Sequence, residues 1–355
     1  MKNNEEKKNN LKNELRPNQL DEKQKKSLGN RLLYGFILVG TAIPAYVLGG
    51  WFFFAYSILF LFIAIYEVTK VPFQKFPVVL FIINIIIVCS LVFWPTLKFL
   101  LLPTKSAEAL NINSVFPFVN DGFYSEVWLS PIAIAFALGV YFTISVFKKD
   151  FSIMNVCYFF TMALLLGIGF QCILGVRYLP FRAFNLLDGS NEYIQTSFFK
   201  YFHSVFFVAI AIGGIVLTDV GAYIFGIFFG KHKLNSRISP NKTVEGFVGG
   251  ICTSFVVTFT VCMIAANFGK PLLPIYSIEN WYLILILCLG IPFVSTLGDF
   301  AFSAIKRFFG IKDFSHILGS MGGIMDRIDS IIFGMMFVLI FTTFVSNIAG
   351  NIYYF

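Results

Sequence analysis

Charge is what this sequence has least of. Lysine, arginine, aspartate and glutamate together make up 13% of its 355 residues, about half the share of a soluble domain. That shortage excludes a water-soluble globule and points to a membrane protein. Histidine is nearly absent: His203, His232 and His316 are scattered, with no H-E-x-x-H spacing, which speaks against a zinc site. The six cysteines (Cys89, Cys157, Cys172, Cys252, Cys262 and Cys288) form no C-x-x-C pair and sit in apolar runs, so they read as small buried hydrophobes. No repeat period and no inverted-repeat signal stands out. No small-residue cleavage site follows the first apolar run, and the polar stretch before it is longer and more acidic than the head of a secretory signal. The run therefore reads as a retained anchor.

What the chain has in abundance is apolar surface. Hydrophobic residues make up 57% of it, phenylalanine alone contributes 46, and the mean hydropathy is +0.78. Runs near the 20 residues that a spanning helix needs occupy about 32–48, 51–67, 78–96, 128–147, 153–175, 202–229, 246–267, 281–305 and 330–349. The first two are divided only by Gly49-Gly50 and read as a tight hairpin. The expected fold is all-α: a polytopic transmembrane helical protein of about nine spans. Its organisation is expected to be a disordered cytoplasmic tail (1–31), an N-terminal transmembrane region (32–200) and a C-terminal catalytic transmembrane region (201–355) with two charged cytoplasmic loops. Segments 97–127 and 177–200 look like outer loops. With the Lys-rich tail inside, twelve lysines and arginines fall in inner loops and six in outer ones. That asymmetry supports a cytoplasmic N-terminus and suits anionic lipid headgroups.

Two segments concentrate charge within this apolar background. In "TDVGAYIFGIFFGKHKLNSRISPNKTVEGFVGG" (218–250) Asp219 lies well inside an apolar run, which is costly in lipid. It faces a cavity, a partner or a cation, or else makes a helix-packing hydrogen bond. Gly221, Gly226 and Gly230, taken alone, read as residues that let helices approach closely. "GIFFGKHK" is not a phosphate loop: three residues separate the glycines, and His232 follows Lys231 where Ser or Thr is required. The adjoining "RISPNKTVEG" places Arg237, Ser239, Lys242, Thr243 and Glu245 beside a helix start, a pattern that suits polyphosphate. A solvated positive loop is the alternative.

The second segment runs from Asp299 through "KRFFGIKDFSHILGSMGGIMDRIDS" (306–330). Asp326 and Asp329 are three apart and share one helical face. Gly322-Gly323 just before them would let backbone approach a ligand closely. Carboxylates alone would repel one another. With Lys306, Arg307, Lys312 and Arg327 they suit a divalent cation plus phosphate oxygens, since Mg²⁺ is commonly held by one or two carboxylates and substrate phosphates. A purely structural ion-pair network is the alternative.

At these residues the sequence resembles the phosphatidate cytidylyltransferases, also called CDP-diacylglycerol synthases. One motif is matched by Ser303, Lys306, Arg307, Lys312, Asp313, Gly322, Gly323, Asp326, Arg327 and Asp329 in order. The upstream motif is matched by Thr218, Asp219, Gly221, Ala222, Tyr223, Gly230, Lys231, Lys233, Ile238, Ser239, Pro240, Lys242, Thr243, Glu245 and Gly246. The close match covers roughly 215–335. Two departures stand out: Gly319-Ser320-Met321 where Pro-Gly-His is common, and Phe302 where many members carry Glu. The resemblance implies transfer of the cytidylyl group of CTP to phosphatidic acid, giving CDP-diacylglycerol and pyrophosphate. It implies Mg²⁺ held by Asp299 and Asp326, with Asp219 and Asp329 as further ligands, and a second cation such as K⁺. Lys306, Arg307, Lys312 and Arg327 are expected on phosphates. Lys231, Lys233, Ser239, Lys242, Thr243, Glu245, Gly322 and Gly323 are expected to bind substrate. Expected partners are CTP, phosphatidic acid, membrane lipids and a second copy of the chain as a homodimer, with no nucleic acid. The expected location is the cell membrane, with the active site facing the cytoplasm. Competing readings are a CTP-dependent polyprenol or lipid kinase and an ion-coupled transporter.

Overall fold

Every apolar run in the sequence becomes a helix in the computed structural model, which describes residues 22–73, 76–101, 131–188, 197–235 and 237–348. In chain order these are α1 (Glu22–Leu48), α2 (Gly50–Lys70), α3 (Val78–Leu101), α4 (Pro131–Phe147), α5 (Ile153–Asp188), α6 (Ser197–Phe229), α7 (Val244–Asn267), α8 (Trp281–Phe308) and α9 (Met325–Ile348). Six helical stretches among the described residues are long and apolar enough to cross a membrane: Trp51–Lys70, Ile153–Arg177, His203–Phe229, Val244–Asn267, Ile278–Phe308 and Met325–Val345. The apolar parts of α1, α3 and α4 are shorter: Leu33–Leu48, Val78–Phe93 and Ala133–Phe147. Large apolar side chains such as Phe36, Phe142, Ile227, Val256 and Phe293 remain exposed. Lipid is the solvent that makes such a surface stable.

The first apolar run breaks at Gly49, whose φ of 61° is left-handed backbone that suits glycine. α1 and α2 then lie side by side, with the Tyr56 hydroxyl 3.5 Å from Leu38 O. α5 is the central post and packs on α2, α3, α4, α6 and α9. Its buried face carries Phe159, Met162, Ala163, Leu166 and Phe170. One buried polar chain inside this bundle runs between helices. Tyr141 OH donates to Asn84 Oδ1 at 2.8 Å, and Asn84 Nδ2 donates to Thr69 Oγ1 at 2.8 Å.

Four expectations change. Residues 22–31 begin α1 and 97–101 end α3; the rest of the expected tail (1–21) and of the outer segment 102–127 lies outside the described residues. Residues 177–188 continue α5 and 197–200 open α6, where Pro, Gly, Asn and Asp suggest a loop. Arg177, counted with the outer-loop charges, is buried and donates to Tyr46 O at 3.1 Å. The all-α reading gains one antiparallel hairpin, β1 (Lys233–Asn235) with β2 (Ser239–Thr243), in register Lys233↔Thr243 and Asn235↔Ser239. Its turn is set by Asn235, whose Oδ1 accepts from the amides of Arg237 (3.1 Å) and Ile238 (3.3 Å).

Candidate active site

Glycines bring α6 and α7 together almost backbone to backbone. A Cβ on Gly246 would lie 2.7 Å from Ala222 O, and one on Gly250 2.6 Å from Thr218 O. The packing role read for Gly221 is visible here: its Cβ would lie 2.8 Å from Thr253. Above this seam, between α6, α7, α8 and the hairpin, is a cavity of about 360 Å³, within the range of small-molecule sites. Asp219, Tyr223, Lys242, Thr243, Thr296 and Phe300 are among its walls. Asp219, Ala222, Tyr223 and Gly226 follow helical spacing along one face of α6.

Lys242, at the end of β2, is the cation at the cavity. Its ammonium pairs with Asp299 Oδ2 and lies 4.5 Å from the centre of the Phe300 ring. Ser303 Oγ donates to Asp299 Oδ1 at 3.4 Å. The pair is partly open, with side-chain exposures of 33% for Lys242 and 24% for Asp299. Asp219 lies within electrostatic range of Asp299, Lys242 and Arg327.

The residues around Lys242 mostly build its loop. Thr243 caps α7, its Oγ1 accepting from Gly246 N–H at 3.1 Å. Glu245, in the first turn of α7, accepts from the amides of Lys231 (3.0 Å) and His232 (3.2 Å) and meets His232 Nδ1 at 2.6 Å. Its carboxylate therefore ties the end of α6 to the start of α7. Lys231 and Lys233 are exposed, and Ser239 is half-buried at the start of β2.

A second cluster joins α8 to α9. Lys306 is buried, and its Nζ lies 2.8 Å from Asp326 Oδ1 and 3.7 Å from Asp329 Oδ2. The shared face expected of Asp326 and Asp329 is realised, and its cation is a lysine. Asp326 Oδ2 also accepts from the amides of Phe314 and Gly323, both at 2.9 Å. Asp329 takes the Ser330 amide at 2.7 Å. Arg307 donates to Ile238 O (3.2 Å) and Ile311 O (2.9 Å), fastening the hairpin to the end of α8. Lys312 is exposed, and exposed Arg327 donates to Met321 O.

The paired glycines serve the protein's own carboxylates. Gly322 has φ 87°, and a Cβ there would lie 3.1 Å from Asp326 Oδ2. A Cβ on Gly323 would lie 2.6 Å from both oxygens of Glu67. Both glycines are buried. Glu67 is the participant that the sequence reading missed. It sits at the end of α2, has no exposed surface, and accepts from Ser315 Oγ and from the Ile324 and Met325 amides. The available signal was a lone acid closing an apolar run, "FLFIAIYEVTK".

Among the described residues no group of three or more His, Cys, Asp or Glu side chains converges closely enough to hold an ion. A Mg²⁺ completed by substrate phosphates needs only one or two carboxylates. Asp219 in the cavity wall and Asp299 at its edge are hard oxygen donors that fit that requirement. Asp326 and Asp329 already share the Lys306 ammonium.

Residues 29–345 match the sequence model of the Cytidylyltransferase family. The chain is similar to a phosphatidate cytidylyltransferase of Staphylococcus saprophyticus, 32% identical over 306 residues, covering 85% of this chain and 94% of the relative. It is also similar to the phosphatidate cytidylyltransferase of Staphylococcus haemolyticus, 35% identical over 207 residues (58% of this chain, 65% of the relative). The one from Staphylococcus aureus strain COL is 43% identical over 120 residues (33% and 41%).

Proposed function

The chain belongs to the cytidylyltransferase family, and we propose that it transfers the cytidylyl group of CTP to phosphatidic acid, giving CDP-diacylglycerol and pyrophosphate. The observation that carries this is the cavity lined by Asp219 and by Lys242, which is paired with Asp299, built from membrane helices and an exposed basic hairpin. A water-borne nucleotide and a lipid phosphate can both reach such a place. A phosphatidate oxygen attacks the α-phosphorus of CTP in line, and the bond to pyrophosphate breaks. Catalysis then rests on positioning and on neutralising charge.

The residues divide this work by their present partners. Lys242, in a half-open pair, turns from Asp299 to a phosphate. Lys231, Lys233, Lys312 and Arg327 are exposed and available to the triphosphate and the lipid headgroup. Lys306 joins the end of α8 to the start of α9, and Arg307 fastens the hairpin to α8, which holds the others in place. Mg²⁺, when bound, supplies positive charge on the phosphates and on the leaving pyrophosphate. Asp219 and Asp299 would hold it, Asp326 and Asp329 being paired with Lys306, and a second cation such as K⁺ would add positive charge. Phe302 and Met321 do not remove any of these groups: Phe302 is buried 6.3 Å from the Phe314 ring, and the Met321 Sδ-methyl end lies near Gly35 of α1.

The reading extends to topology. Nine crossings with a cytoplasmic N-terminus, a multi-pass cell-membrane location and an active site on the cytoplasmic face are supported by the six long and three shorter apolar helices of the described residues and by the lysine and arginine asymmetry of the sequence. Membrane lipids and a second copy of the chain are the further partners in this reading.

The test is purified protein with phosphatidic acid, Mg²⁺ and CTP labelled at the α- or the γ-phosphate. Label from the α-position in a CDP-lipid is expected. Label from the γ-position in the lipid would make the protein a lipid kinase instead. No transfer from either position would overturn the reading.

A further inference from the structure

Three consecutive amides open α9, and they are divided between two carboxylates from opposite ends of the chain. Gly323 N–H donates to Asp326 Oδ2 at 2.9 Å. Ile324 N–H donates to Glu67 Oε1 at 2.9 Å and Met325 N–H to Glu67 Oε2 at 2.7 Å. The preceding loop is divided in the same way: Phe314 N–H goes to Asp326 at 2.9 Å and Ser315 Oγ to Glu67 at 2.5 Å. Glu67 and Asp326 thus clamp both ends of the segment 314–325 from two sides. Asp326 also carries Lys306 at 2.8 Å. A shift of Glu67 therefore moves the carboxylate that holds the buried lysine and, through the first turn of α9, Arg327.

Glu67 is well suited to fix geometry. It has no exposed surface, so its own position is set by the protein around it and not by solvent. Its carboxyl group faces a helix N-terminus, where backbone donors hold it. The contact is tight enough that Gly323 is required: a Cβ there would lie 2.6 Å from both carboxylate oxygens. We propose that Glu67 is a positioning residue for the transfer reaction, by which α2 of the N-terminal region sets the placement of Asp326, Lys306 and Arg327 in the C-terminal region. The proposal rests on the reading of the Asp–Lys clusters as the active site.

The experiment uses full-length protein in detergent with lipid substrate. Glu67→Gln keeps size and one acceptor oxygen but turns an NH₂ toward a donor. Glu67→Asp keeps the charge but draws it back by one methylene. A small misplacement of a reacting site costs up to about 100-fold in rate. We expect kcat to fall about 10- to 100-fold in Glu67→Gln and by less in Glu67→Asp, with KM for CTP nearly unchanged. A merely structural role would lower the amount of folded protein and its unfolding temperature while leaving kcat per folded molecule intact, and that result would overturn the proposal. Gly323→Ala provides the second arm. It should be severe alone and markedly milder beside Glu67→Asp, because the retreating carboxylate makes room. Additive effects would also overturn the proposal. Unfolding temperatures read this second arm without any activity. If the wild-type protein forms no CDP-lipid, the functional reading fails while the clamp is still tested; if the wild type is active and Glu67→Gln keeps full kcat, only the clamp fails.

Discussion

Asp299→Asn and Asp326→Asn remove the same charge from two ion pairs of very different burial, and they should therefore fail in different ways. Asp326 and Lys306 have side-chain exposures of 5% and 9%, with 2.8 Å between oxygen and nitrogen. In Asp326→Asn the single carbonyl oxygen keeps the two amides now on Oδ2, and the new NH₂ faces the Lys306 ammonium. Removing one partner of a buried pair costs about 3–5 kcal/mol. Asp329, 3.7 Å from the same ammonium, takes over part of the pairing and places the cost toward the lower end, about 3 kcal/mol. Asp299 and Lys242 are half-open, at 24% and 33%, and a pair of that kind contributes about 0–1 kcal/mol. Asp299→Asn should leave stability nearly untouched. It should still lose activity, because removing a group that stabilises transition-state charge costs about 100- to 1,000-fold.

The assay pairs CDP-lipid formation with thermal unfolding in one detergent. Asp299→Asn should be stable and inactive. Asp326→Asn should be inactive and clearly less stable. Turnover near wild type in Asp299→Asn at ordinary Mg²⁺ would remove that residue from the reaction. Wild-type unfolding of Asp326→Asn would refute the assignment of Asp326 as the buried anchor of Lys306.

Cysteines placed singly in the loops at Lys242 and Lys312 should resist an impermeant thiol reagent in intact cells and react once the membrane is opened; labelling from outside would reverse the topology. Met321→His should change kcat only modestly, since the acids and bases of both clusters are present without it; an inactive wild type with an active histidine variant would give that loop a chemical role. Gly246→Ala should lower both stability and activity by forcing apart α6 and α7, because its Cβ would lie 2.7 Å from Ala222 O; unfolding temperature and turnover together check it, and a silent substitution would mean that the seam does not shape the cavity.

Much of this protein is readable from local pattern because lipid makes local pattern strict. A bilayer favours helices, so nine apolar runs announce the nine α-helices of the described residues, and glycines at close spacing announce a close seam. The boundaries were harder: 177–188 carries arginines and a proline and still continues α5. Contacts between distant residues were harder still. Glu67 bonds to amides 257 and 258 residues away, and nothing in its neighbourhood distinguishes it from an interfacial acid. The partners of the motif aspartates were also hidden. Their spacing showed that Asp326 and Asp329 share a face, but not that Lys306 lies between them.

Burial is the property that divides a motif which looks uniform in sequence. Two lysines each meet an aspartate essential to the motif, yet one pair is half-open beside a cavity and the other is closed between two helices. In a low-dielectric setting a closed pair is held by the cost of separating it, so Lys306 is committed to Asp326 and Asp329. A half-open pair exchanges partners at little cost. In the proposed reaction Lys242 parts from Asp299, the lysine pairing with a substrate phosphate and the aspartate with the cation. The same two residue types form a closed brace in one cluster and a half-open pair in the other, and the difference lies in how much water each pair can reach.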